Sequence, residues 1–161
     1  KLTTDFLKAL PKVLLHDHLD GGLRPQTIVE LARETGYQQL PAAETGNLAE
    51  WFHTTASRGS LPLYLQGFEH TIAVMQTEEA LERVAYEMLE DMKIDGVVYV
   101  ETRFAPMLHV QKGLHPENVM RAVIRGLERG KNDFGVEYGV ILCGLRSMPA
   151  CSIRGSSKFN V

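Results

Sequence analysis

The stretch Pro11-Lys12-Val13-Leu14-Leu15-His16-Asp17-His18-Leu19-Asp20-Gly21-Gly22 holds the residues best suited to chemistry. An apolar run ends in His-x-His, then an acid, then two glycines. In a strand, residues two apart share a face. His16 and His18 therefore point the same way, and Asp20 can continue the row. Two imidazoles and a carboxylate at one strand end suit a borderline-soft divalent metal such as zinc. The glycines permit a tight turn or close approach to a ligand. Spacing alone leaves two readings open: a metal-ligating pair, or two hydrogen-bonded histidines near a loop. Asp20 has its own alternative, because Asp before glycine commonly bonds a backbone N–H. Asp17 faces the opposite way, where it needs a partner unless the strand is already leaving the core.

These residues need a scaffold, and the periodicity of the chain supplies one. Lys1 to Leu10 reads as a short lead-in helix or turn with Phe6, Leu7 and Leu10 on one side. Val13–His18 is the first strand, apolar enough to be covered on both faces. Pro25 suits a first helical position, Ile28, Leu31 and Ala32 form an apolar stripe, and Gly36 stops the helix. Asn47 to Glu50 has the form of a capping box opening a short helix with Leu48, Trp51 and Phe52 inward. Ser60-Leu61-Pro62 opens another helix, striped by Leu61, Leu65, Phe68, Ile72 and Met75. Core packing is the default reading of that stripe. Thr77 caps the clearest helix, which carries Leu81, Val84, Ala85, Met88 and Met92 and stops near Asp95-Gly96. Gly96–Thr102 is the second strand, with Tyr99, Glu101 and Arg103 on one face; Glu101 and Arg103 there read as a structural ion pair. A turn-rich loop leads to a helix from Pro116, then to a third strand over Gly135–Cys143, in which Cys143 reads as a buried small hydrophobe. Strands separated by helices argue for an α/β fold with a parallel sheet. Ser147–Val161 has neither helical nor strand periodicity.

The 161 residues suffice for one domain with a sizeable core. A hydrophobic fraction of 44% and a net charge of −3 give no support for nucleic-acid or membrane-surface binding. Cys143 and Cys151 are too few for a disulfide framework or a Cys-rich zinc module, and they fit a reducing, cytoplasmic setting. Lys1–Leu10 lacks the apolar core of a secretory signal, and no apolar run approaches a membrane span.

Taken together, four blocks resemble the adenosine deaminase family of metal-dependent amidohydrolases. They are Pro11 to Gly21, Leu61 to Phe68, Glu90 to Pro106 (above all Gly96 to Pro106), and Asp133 to Val136 with Ile141 to Arg146. The resemblance covers about 135 residues, from Phe6 to Arg146. It implies that the chain is the N-terminal portion of a (β/α)8 TIM barrel, about three parallel strands with extra helices after the first. It implies a Zn2+ site to which His16 and His18 contribute. It implies that Asp20 binds the ribose 5′-hydroxyl, and that Leu61, Tyr64, Leu65 and Phe68 form an apolar gate over the purine. The implied reaction is hydrolytic deamination of adenosine or deoxyadenosine to the inosine product and ammonia, a step of purine metabolism. Cytidine-type deaminases use His-x-Glu and Pro-Cys-x-x-Cys, neither of which occurs here.

The family draws its third zinc histidine, a catalytic glutamate, a second catalytic histidine and an Asp-Asp pair from later strands, beyond these 161 residues. The chain therefore contains metal and substrate-binding positions and no catalytic acid or base. His53, His70, His109 and His115 end no later strand and take no family role; His70 and His115 read as solvated. The expected organisation is a deaminase barrel part over 1–146 and a non-matching tail over 147–161, with the look of a frameshifted or foreign ending. Two alternatives stand beside a deaminase: an inactive fragment, and an amidohydrolase acting on another aminopurine.

Overall fold

A computed structural model describes residues 2–57 and 59–145, apart from the side chain of Leu63. The tail over 147–161, with Cys151, lies outside the described residues. The order is α1 (Thr4–Ala9), β1 (Lys12–His18), α2 (Pro25–Thr35), α3 (Thr45–Ala56), α4 (Leu61–Val74), α5 (Glu78–Ile94), β2 (Val97–Phe104), a 3-10 turn (Pro106–His109), α6 (Pro116–Phe134) and β3 (Glu137–Leu142). The three strands form one parallel sheet in the order β1-β2-β3. Strands alternating with helices about an open parallel sheet are the start of a (β/α)8 barrel, as expected.

The core lies where α5 and α6 pack on each other and on β2. Ala80, Leu81, Val84, Ala85 and Leu89 of α5 meet Val119, Ala122, Val123 and Leu127 of α6, with Val100 and Phe104 of β2 beneath. The helices approach so closely that a Cβ on Gly126 would lie 2.2 Å from the backbone oxygen of Glu82. Polar side chains tie α2 to the outer side of α5: Arg24 pairs with Glu90 and Asp91, and Thr27 donates to Glu87 at 2.5 Å.

Several local expectations hold. Thr77 Oγ accepts from the Ala80 N–H at 3.2 Å and caps α5. Gly36 and Gly135 end α2 and α6 in the left-handed region, at φ 69° each. Others need correction. α3 starts at Thr45 after Glu44, so Asn47 sits inside the helix and forms no capping box; Thr45 Oγ1 instead donates to Gln26 of α2 at 2.7 Å, which sets the entry earlier. β1 is not covered on both faces: Val13 and Leu15 are 57% and 56% exposed. It is an edge strand among the described residues, with β2 on one side only. Glu101 and Arg103 form no ion pair; Tyr99 donates to Glu101 at 3.2 Å, while Arg103 reaches back to the Leu15 carbonyl at 3.4 Å. His70 is half-buried rather than solvated, 2.9 Å from the Tyr37 hydroxyl and edge-on to Trp51. His115 is exposed, as expected, and caps α6. Cys143 is only half-buried and follows β3, its N–H donating to the Phe104 carbonyl at 2.9 Å.

Candidate functional site

The parallel register places the His-x-His pair at the C-terminal end of β1, where α/β folds gather ligands. Leu14 lies opposite Val100 and Asp17 opposite Thr102, so three steps along β1 match two along β2. This bulge re-aims the strand end, a common device beside binding sites. His16 and His18 still emerge together, with ring centroids 5.4 Å apart and both side chains exposed. Asp17 accepts from the His18 N–H at 3.0 Å, which supplies the partner it needs. Partial burial raises its carboxyl above the ordinary range.

Asp20 continues the row but turns inward. Its side chain is 5% exposed, with Oδ1 3.9 Å from His18 Nδ1 and Oδ2 4.0 Å from His109 Nε2. Both distances exceed a hydrogen bond. Asp20 Oδ1 and His109 Nε2 are accordingly buried without a hydrogen-bond partner. Burial pushes the Asp20 carboxyl up to about 6 and the His109 imidazole down to about 4. His109 is the residue that motif reading left without a role. It ends the 3-10 turn after β2, fully buried, with Nδ1 3.0 Å from the Met75 carbonyl. No short motif links it to Asp20; its position beyond Pro106 at the end of a strand was the only available signal.

The gate residues divide. Phe68 of α4 stands edge-on to His18, with ring centroids 6.0 Å apart, and Tyr64 stands edge-on to Phe68 at 5.6 Å. A Cβ on Gly21 would come within 3.0 Å of Phe68 Cζ, so the glycine lets α4 settle over the strand end. Tyr64 and Phe68 line a cavity of about 290 Å³ together with Gly21, Phe52, Thr55 and Gly67. Leu61 and Leu65 are exposed on α4 and lie outside that lining. Core packing is thus wrong for Leu61 and Leu65, and Met75 alone of the stripe is fully buried.

Two adjacent, exposed imidazoles fit two positions of a zinc shell. They do not complete one, because a catalytic zinc takes three protein ligands as a rule. Among the described residues no group of three or more His, Cys, Asp or Glu side chains is placed to hold a metal ion. No helix among them is long and apolar enough to cross a membrane.

Comparison with known proteins agrees with this geometry. The sequence model of the family described as adenosine deaminase matches residues 11–157. The adenosine deaminase of Mycobacterium ulcerans is 53% identical over 129 residues, 80% of this chain and 36% of that protein. The chain therefore spans about a third of the length of the curated relatives it matches. Among solved structures, the adenine deaminase of Arthrobacter aurescens superposes with a TM-score of 0.77 at 30% identity, covering 89% of this chain and 42% of that one. An amidohydrolase of Burkholderia ambifaria with bound zinc gives 0.71 at 27% identity, covering 88% and 38%. A family match across most of the chain, on a scaffold that superposes on deaminase barrels, makes this chain a member of the adenosine deaminase family.

Proposed function

We propose that the chain supplies the first-strand side of a zinc-dependent adenosine deaminase site, acting on a small purine nucleoside in the cytoplasm. One observation carries this reading. A buried carboxylate oxygen without a donor, Asp20 Oδ1, stands 3.9 Å from His18, which adjoins His16 and lies under the edge of Phe68. A buried acceptor left empty is costly, and a ligand hydroxyl is the natural donor. Asp20 thus binds the ribose 5′-hydroxyl, while Phe68 and Tyr64 wall off the purine from water. Leu61 and Leu65 extend that wall as the exposed rim of the gate. His16 and His18 would hold zinc through imidazole nitrogens. A zinc ion held there would supply Lewis-acid activation of a water near neutral pH. The chain's own described residues would bind and orient the nucleoside.

The test uses a chimera in which residues 11–145 replace the corresponding part of the M. ulcerans enzyme. Adenosine loss is followed by ultraviolet absorbance. The chimera should turn over adenosine and deoxyadenosine in preference to adenine, and bound zinc should fall sharply in His16→Ala and His18→Ala. The 161-residue chain alone should show no turnover. Zinc-dependent turnover by that chain alone, or retention of zinc and activity in both variants, would overturn the assignment. A preference for adenine would favour the other aminopurine reading, which the similarity to an adenine deaminase keeps specific.

A further inference from the structure

His70 of α4 is held from two sides, although it lies off the face that carries Phe68. Its Nδ1 and the Tyr37 hydroxyl are hydrogen-bonded at 2.9 Å. The Trp51 ring of α3 stands edge-on to the imidazole, centroids 5.3 Å apart. Tyr37 follows Gly36 at the end of α2, so this one side chain joins α4 to both preceding helices. No other side-chain hydrogen bond among the described residues ties Leu61–Val74 to another element. Tyr64, Gly67, Phe68 and Thr71 share the cavity face of α4. With 3.6 residues per turn, His70 lies about 200° around the helix from Phe68. A clamp on His70 therefore fixes the rotation of α4 from the side opposite Phe68.

The two ends of α4 differ. At the C-terminal end Val74 and Met75 are buried, and Gln76 beyond them donates to the Leu108 carbonyl at 2.9 Å and accepts from the Gln111 N–H at 3.0 Å. At the N-terminal end Leu61, Tyr64 and Leu65 are exposed. Phe68 stands between the held end and the exposed end, its ring edge-on to His18 with centroids 6.0 Å apart. Side chains reach about 5–6 Å from a helix axis, so a rotation of about 20° would swing that ring by about 2 Å. We propose that His70 and Tyr37 are positioning residues: their hydrogen bond, backed by Trp51, locks the rotation of α4 and holds the Phe68 ring against His18. This rests on the reading of Phe68 as a wall over the purine. Neither residue touches nucleoside or metal. Without the bond, the exposed half of α4 gains freedom that a ligand must remove on binding, which weakens binding and leaves the chemical step alone.

Two substitutions and one background separate this role from simple packing. In the chimera, Tyr37→Phe should raise KM for adenosine about fivefold, the usual effect of losing one neutral hydrogen bond, with kcat within about twofold. His70→Asn sets an amide where Nδ1 stood and should keep KM within about twofold of the parent. In a Phe68→Ala background, Tyr37→Phe should change KM by less than about twofold, because the ring it positions is gone. An unchanged KM in Tyr37→Phe, the same loss with and without Phe68, or a loss in His70→Asn equal to that in Tyr37→Phe would overturn the proposal. The second measurement is independent of activity and uses the 161-residue chain with 13C-labelled histidine. Phe68→Ala should shift the His18 ring proton signals, because the ring current of Phe68 is lost. Tyr37→Phe should move the same signals part of the way in the same direction, and His70→Asn should leave them in place. If the unsubstituted chimera fails to deaminate adenosine while those signals move with Tyr37→Phe, the functional reading has failed and the latch stands. His18 signals indifferent to Tyr37→Phe would refute the latch whatever the activity.

Discussion

Asp20 and His109 are two ionisable side chains packed out of water side by side, and burial drives them in opposite directions. Burial raises the Asp20 carboxyl from 3.8 to about 6 and lowers the His109 imidazole from 6.5 to about 4. Between about pH 4 and 6 the folded carboxyl keeps a proton that the unfolded chain has released, so its contribution to stability falls as pH rises. Over nearly the same window the unfolded imidazole takes up a proton that the folded one refuses, so its contribution rises with pH. The two slopes oppose each other. Thermal melts between pH 4 and 6.5 should therefore show little net slope from this pair. Asp20→Asn should unmask a melting temperature that rises with pH, and His109→Asn one that falls, each by on the order of 5 °C across the window. Parallel slopes in the two variants would show that the groups do not titrate as their burial requires. The His-x-His row was legible in the sequence because period-2 spacing survives a bulge: the rings still stand 5.4 Å apart. His109 was not, because its meeting with Asp20 bridges 89 positions of sequence and depends on the Met75–Gln76 link of another element.

At the scale of elements, the contact between α5 and α6 depends on one missing side chain. A Cβ on Gly126 would meet the Glu82 backbone oxygen at 2.2 Å and the Ala85 Cβ at 2.8 Å. Neither neighbour can rotate away, so Gly126→Ala must push the helices apart. The cost of such overpacking, about 1–3 kcal/mol or more, exceeds the gain in helix propensity, about 1 kcal/mol. Gly46 is also inside a helix, but nothing lies within 4 Å of its added Cβ. Gly46→Ala should raise the midpoint of urea denaturation slightly and Gly126→Ala should lower it; a rise in both would show that the helices have room to give. Helix existence was legible here from caps and stripes: Pro25 to Gly36, Thr77 to Asp95 and Pro116 to Gly135 all end where local chemistry dictates. α3 began elsewhere because a tertiary contact, Thr45 to Gln26, outweighed a local capping pattern. The stripe of α4 misled for a related reason. Helical periodicity reports an apolar face, and Leu61 and Leu65 present that face outward, beside the cavity rather than in the core.

Over the whole molecule, a parallel sheet of three strands leaves apolar surface that a closed barrel would bury. Among the described residues β1 and β3 each pair on one side only, with β2. Val13 and Leu15 of β1, Val98 of β2 and Ile141 of β3 are exposed, and Leu61, Tyr64 and Leu65 are exposed on α4. The alternation of strand and helix revealed the parallel α/β sheet, and the family resemblance the barrel, but neither could reveal which strand faces would be covered, since burial depends on neighbours that periodicity does not contain. Unpaired strand edges with apolar side chains favour association with another chain. The 161-residue chain alone should therefore sediment with a mass that grows with concentration. Val13→Lys with Ile141→Lys should reduce that growth by placing a charge on each edge strand. The same pair of substitutions in the chimera, where later strands cover β1 and β3, should instead lower the melting temperature, because a lysine that is harmless in water is costly in a closed sheet. A chain that sediments as a monomer at every concentration, with no response to the lysines, would mean that this surface is already satisfied in solution. The opposite signs expected in the two contexts make the result a test of how the sheet is completed rather than of general solubility.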